Sequence, residues 1–190
     1  MASIHKASYG PGHFLALLPA ATIAAYYRLF LGEGSQIVVA EVESPGGGAS
    51  SLAGFAVFGR NIEPRIGVFK QQQRAAILRT ALAHPLVSAR KVALGLLGGS
   101  GPSMPHDPAP WLLLSIAVRG ARRGTGSVLL REMLRSAAQN GQDRFGLYVR
   151  HSNVGAINAY LRAGFRIVAS LADQYYMEIA LRPLASSDPV

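Results

Sequence analysis

The chain contains no cysteine. That excludes disulfide scaffolds, thiolate zinc sites and cysteine nucleophiles, and it is compatible with a reducing compartment. Charged residues are scarce too, at 15% against 49% hydrophobic, a composition that excludes a disordered chain and fits a compact core. Long apolar runs are missing. Stretches such as WLLL (111–114) fall far short of the roughly 20 residues that cross a bilayer. The opening residues lack the basic and apolar regions of a signal peptide. A soluble, cytoplasmic protein without stable membrane association is the expectation.

Acid is the scarcer charge, with 10 Asp+Glu against 19 Lys+Arg and a formal net charge of +9. Such an excess favours anionic partners, phosphorylated cofactors and nucleic acid among them. No run of five basic residues occurs, and there is no basic helix or stacking motif, so nucleic acid is not the expected partner. The densest cationic group is RGARR, residues 119–123. A length of 190 residues suits a single domain, 1–190, with its own core. Nothing in the sequence suggests a metal site.

Hydrophobic periodicity divides the chain into alternating elements. SIHKAS (3–8) reads as a short strand, and residues 13–34 as a helix split by Pro19 and ended by Gly32. SQIVVAEVES (35–44) and SLAGFAVFG (51–59) form a hairpin across a glycine-rich turn. Residues 71–98 read as helical, broken at Pro85, and 99–110 as a Gly/Pro-rich loop. A buried strand (111–118) and a helix (124–141) follow, then a strand (144–150), a helix (153–164) capped by Asn153, and a closing hairpin. The order predicts an α/β domain with a mixed sheet.

The stretch VRGARRGTGSVLL (118–130) joins a strand to a helix through a tight glycine turn. A helix start offers unpaired backbone N–H groups, and together with the helix dipole these bind phosphate oxygens. Gly124 and Gly126 carry no Cβ, so a pyrophosphate could approach the backbone closely. Thr125 and Ser127 offer hydroxyls, and Arg122 and Arg123 offer charge-assisted contacts. A P-loop is excluded because no Gly-Lys-Ser/Thr triplet follows. A dinucleotide fingerprint is excluded because Leu129 stands where a third glycine belongs. A solvated basic turn remains the plain alternative for this stretch alone.

Residues 111–130 resemble the acetyl-CoA-binding segment of the GCN5-related N-acetyltransferase (GNAT) superfamily. Gly124 and Gly126 match its glycines, and Leu129-Leu130 match the apolar pair after them. Ala121 stands where the family carries Arg or Gln, so Arg122 or Arg123 would take over that side chain's role. A second stretch, LYVRHSNVGAINAYLRAGF (147–165), keeps the family's Asn153, Ala156, Tyr160, Gly164 and Phe165 in register. The resemblance implies a GNAT-like, mostly antiparallel sheet of about seven strands, with one splayed parallel pair and flanking helices.

It further implies an acetyl-CoA-dependent N-acetyltransferase acting on the primary amine of a small acceptor, amino sugars being one such class. Backbone groups of Ile116, Ala117 and Val118 would pair with the pantetheine arm, and Val118 N–H would meet the carbonyl oxyanion. The pyrophosphate would rest on residues 122–127. Asn153 and Ala156 would line the other side, and Tyr160 would protonate the departing thiolate. No residue stands out as the base: Glu41, Glu43, His106, Asp107, His151 and ordered water are all open. His13 and His84 read as surface or helix-packing residues. Residues 60–110 read as a helical insertion that either covers the acceptor side or the core, or forms a homodimer surface. Residues 183–190 read as a flexible tail. Transfer of a longer acyl group, and a non-catalytic acyl-CoA-binding module, are the alternative functions.

Overall fold

A computed structural model describes residues 1–10, 13–44, 48–89, 107–120 and 124–181. Helices α1 (Ala2–Ser8), α2 (Phe14–Leu17) and α3 (Ala20–Arg28) precede strands β1 (Ser35–Ser44) and β2 (Gly48–Gly59). Helices α4 (Ile62–Gln72) and α5 (Arg74–Ala83) follow, with a further helical turn at 85–89. The second half runs β3 (Trp111–Val118), α6 (Thr125–Gln139), β4 (Arg144–Arg150), α7 (Val154–Arg162), β5 (Arg166–Ser170) and β6 (Gln174–Ala180). The expected tail at 183–190 lies outside the described residues.

The strands form one sheet in the order β1-β2-β3-β4-β6-β5. Only β3 and β4 run parallel; every other neighbouring pair is antiparallel. Six strands stand where about seven are expected, because SIHKAS is the helix α1 and not a strand. The reason is tertiary. Ile4 and His5 are 1% exposed, buried beneath α3, and six residues carry too little intrinsic β preference to resist that packing.

Helices cover both faces. On one face, Leu130, Met133 and Ala137 of α6 and Tyr160 of α7 pack on Phe58, Leu113, Phe145, Leu147 and Met177. On the other, Ile4, Ile23, Tyr26, Tyr27, Ile62 and Phe69 from α1, α3 and α4 pack on Phe55, Val57 and Ala117. Each large apolar side chain fully withdrawn from water in these layers contributes about 1.5–3 kcal/mol. Residues 62–72 become helical earlier than the periodicity at 71–98 predicts. Pro64 lies in the first turn of α4, where its missing N–H removes no intrahelical bond. Pro19 and Pro85 do separate helices as expected, Pro19 serving as the N-cap residue of α3. No helix among the described residues is long and apolar enough to cross a membrane.

The start of the parallel pair is tightly closed. Gly146 lies opposite Leu112, and a Cβ built on it would meet Tyr176 Oη at 2.6 Å and Leu112 Cδ2 at 2.8 Å. The Tyr176 hydroxyl cannot simply step aside. It accepts from Ala109 N at 2.8 Å and donates to Glu178 Oε2 at 2.7 Å. Gly146→Ala is therefore expected to lower unfolding free energy by about 1–3 kcal/mol. Urea denaturation checks this, and an unchanged midpoint would contradict the close packing.

Candidate active site

The site begins with one extra residue in β3. Val57 pairs with Ser115, but the next residue of β2, Phe58, pairs with Leu113, so Leu114 is bulged out of the ladder. A bulge bends its strand and reverses which face later side chains meet. Leu113 accordingly faces α6, whereas Ser115 and Ala117 face the α1–α3 layer. The parallel pairing of β3 with β4 stops at the same level, at Leu113 opposite Leu147. Beyond it β3 stays with β2 as far as Val118, and β4 stays with β6 as far as Arg150. A wedge opens between Ser115–Val118 and Tyr148–Arg150.

Both second-half helices start at the open end of this wedge. Gly120 (φ 68°) and Gly124 (φ 95°) take left-handed conformations that turn the chain from β3 into α6. Among the described residues, the first bond of this helix is Val128 N–H to Gly124 O, and no side chain caps it. The amides of Thr125, Gly126 and Ser127 lie in the first turn, where a helix's N–H groups have no intrahelical partner and can meet an anion. A Cβ placed on Gly124 or Gly126 would touch nothing, so the space above this turn is open. Arg122 and Arg123 lie outside the described residues. On the far side, Asn153 Oδ1 accepts from Ala156 N at 3.3 Å and caps α7 as its sequence position predicts.

Tyr160 is 7% exposed in α7, its ring 5.8 Å from that of Phe165. Its hydroxyl makes no hydrogen bond among the described residues. Burial pushes its pKa above the ordinary tyrosine value, with proximity to Tyr9 adding to the effect. At neutral pH the phenol keeps its proton.

The candidate bases are scattered. Asp107 precedes β3, at the opposite end from the wedge, and is held by Arg144 at 2.7 Å. Glu41 and Glu43 are exposed on the outer strand β1. His151 follows β4 and rests on Tyr175, ring centroids 4.2 Å apart. His84 is exposed at the end of α5, and His106 is outside the described residues.

The sequence does not signal what the N-terminal segment contributes. Ser8 Oγ donates to Val118 O at 2.7 Å, and Tyr9 OH donates to Ile116 O at 3.2 Å. Tyr9 OH also meets Ser115 Oγ at 3.0 Å, Ser115 Oγ meets Tyr27 OH at 2.9 Å, and Tyr27 OH meets His5 Nδ1 at 2.6 Å. A carbonyl can only accept, and each hydroxyl has one hydrogen. Tyr9 spends its hydrogen on Ile116 O, so Ser115 donates to Tyr9, Tyr27 to Ser115, and His5 Nδ1–H to Tyr27. The polarity of the chain fixes the His5 tautomer. It leaves Nε2 as a lone-pair acceptor, which is buried and without a hydrogen-bond partner among the described residues. His13, read from sequence as a surface or packing residue, lies over Tyr9 with ring centroids 4.6 Å apart. The Ser8 and Tyr9 contacts to β3 span more than 100 residues, and the cluster of two histidines and a tyrosine in HKASYGPGH is their only trace in the sequence.

Burial, reinforced by His13, pulls the His5 imidazole down to about 4. Between that value and about 6.5, the unfolded chain binds a proton that the folded one refuses. Stability is fully present above pH 6.5 and is lost as pH falls toward 4, by up to about 3 kcal/mol. Unfolding midpoints at pH 7 and pH 4.5 should fall more in the wild type than in His5→Gln. Equal losses in the two proteins would contradict this account of His5.

Comparison with known proteins agrees with the geometry. Residues 89–165 match the acetyltransferase (GNAT) family. No curated protein matches the sequence. The fold is similar to that of the ribosomal-protein-S18-alanine N-acetyltransferase from Escherichia coli, at 17% identity and a TM-score of 0.51 over 100% of this chain and 91% of that one. It is also similar to yncA of Salmonella typhimurium, a candidate acetyltransferase solved with its cofactor acetyl-CoA. That match has 15% identity and a TM-score of 0.54, over 100% and 91% of the two chains. A GNAT-family protein from Desulfovibrio desulfuricans matches with 14% identity and a TM-score of 0.54, over 95% and 90%.

Proposed function

We propose, from the match of residues 89–165 to the acetyltransferase (GNAT) family and the similarity of the fold to a GNAT-family structure, that the protein is an acetyl-CoA-dependent N-acetyltransferase of small primary amines. The observation that carries the reading is the wedge itself: two parallel strands part after Leu113 and Leu147, and the N-terminus of a helix, uncapped by any side chain among the described residues, lies at the open end. That combination suits a long, thin ligand with a pyrophosphate at one end.

The residues present fit such a ligand. Open space over Gly124 and Gly126 leaves room for phosphate oxygens against the amides of Thr125, Gly126 and Ser127. Backbone groups of Ile116 and Val118 turn toward the gap and can extend the ladder along an amide-bearing arm, while Ala117 is bonded into the β2 side. Acetyl-CoA supplies the acetyl thioester, whose thiolate is the leaving group. An amide N–H at the end of β3, that of Val118, can hold negative charge on the carbonyl oxygen. Tyr160 keeps its proton because burial disfavours the phenolate, and it can give that proton to the thiolate. With Glu41 and Glu43 exposed on the outer strand and Asp107 at the far end of β3, ordered water is the base most consistent with the wedge. The acceptor would enter from the α1–α5 side, with amino sugars among its classes.

Release of free thiol from acetyl-CoA, measured across amino sugars, amino acids, polyamines and peptides, tests the activity. Acceptor-dependent release is expected for one class; none with any amine, and no calorimetric signal for CoA, would overturn the reading. Tyr160→Phe should lower kcat by about 100-fold with CoA affinity unchanged. A variant at full speed removes Tyr160 from the mechanism. Gly126→Val should weaken CoA binding by at least about 10-fold, because its side chain would fill the space now open to phosphate. Unchanged affinity would exclude this turn as the cradle.

A further inference from the structure

The open edge of β3 is not bare. The two carbonyls that the cofactor's arm would pair with, Ile116 O and Val118 O, already accept hydrogen bonds from Tyr9 OH and Ser8 Oγ. Both donors come from the last turn of α1 and the residue that ends it. The same segment is tied down by Lys6 Nζ to Leu18 O at 3.0 Å and by the Arg119 guanidinium to Ser3 Oγ at 3.4 Å.

We infer that α1 and Tyr9 form an autoinhibitory strap: docked as seen here they satisfy the open edge of β3, and they must leave it before acetyl-CoA can pair there. This rests on the cofactor reading above. Two features suit a strap that lets go. Its docked state leaves His5 Nε2 buried and without a partner among the described residues, a cost that leaving removes. And α1 is seven residues long with no side-chain cap, too short to persist as a helix away from the sheet. The released segment would therefore unfold, and binding and local unfolding would be coupled. A ligand that requires an open form binds more weakly by the fraction of molecules that are open.

The test uses the full chain with CoA itself as the probe. Ser8→Ala combined with Tyr9→Phe removes both bonds to the edge while keeping the aromatic ring. CoA affinity by calorimetry is expected to rise about 10-fold in the double variant. Ser8→Ala alone, at an exposed position, should show part of that rise. In the wild type, amide hydrogen exchange in residues 2–9 should speed up when CoA is added. Equal or weaker CoA binding by the double variant, or exchange in 2–9 that CoA leaves unchanged or slows, overturns the strap while the cofactor reading stands. If neither wild type nor variant binds CoA, both fall together. Binding by the variant alone would be the strongest support for the strap.

Discussion

The architecture depends on Leu114 having no partner in β2. One unpaired residue in a central strand bends β3 away from β4, and the break in hydrogen bonding cannot be healed locally, because the two strands are parallel and already in register at Trp111–Leu113. The same residue reverses the faces of everything after it. Ser115 would otherwise have faced the apolar layer of Leu113 and Met133, where a hydroxyl costs free energy unless it is paired. It is turned instead into a layer that supplies Tyr9 and Tyr27.

A gap between strands creates an obligation as well as an opportunity. Backbone groups along its rim need partners, since buried orphans are rare in folded proteins. In this molecule a serine and a tyrosine from the N-terminal segment meet that need, and a chain of hydroxyls carries the consequence inward to His5. The chain ends on an acceptor at the rim, so its direction is set there and not in the core. The unpaired Nε2 of His5 is the residue of that constraint. The rim, the hydroxyl chain and the imidazole thus behave as one unit.

Much of the second half is legible in the sequence because its signals are local. The apolar spacing of 128–137, the Asn153 cap and the glycines at 124 and 126 each act within one turn of their own position. The strands 111–118 and 144–150 appear at their read boundaries. The N-terminus is illegible for the converse reason. Whether residues 2–8 become strand or helix is decided by partners in α3 and β3, up to 110 residues away. The bulge at Leu114 is equally silent, since WLLLSIAV is apolar enough to sit on either face. Sequence reading thus anticipates the glycine turn and the helix that carries Tyr160, but not the N-terminal segment packed against β3.

The central claim is that the wedge beyond Leu113 and Leu147 is where acetyl-CoA lies. A crystal structure of the protein with CoA tests it most directly. The account predicts the pyrophosphate on the amides of Thr125, Gly126 and Ser127, with the pantetheine arm along Ile116–Val118. A CoA molecule bound anywhere else on the protein, with the wedge still closed around Tyr9, would contradict it.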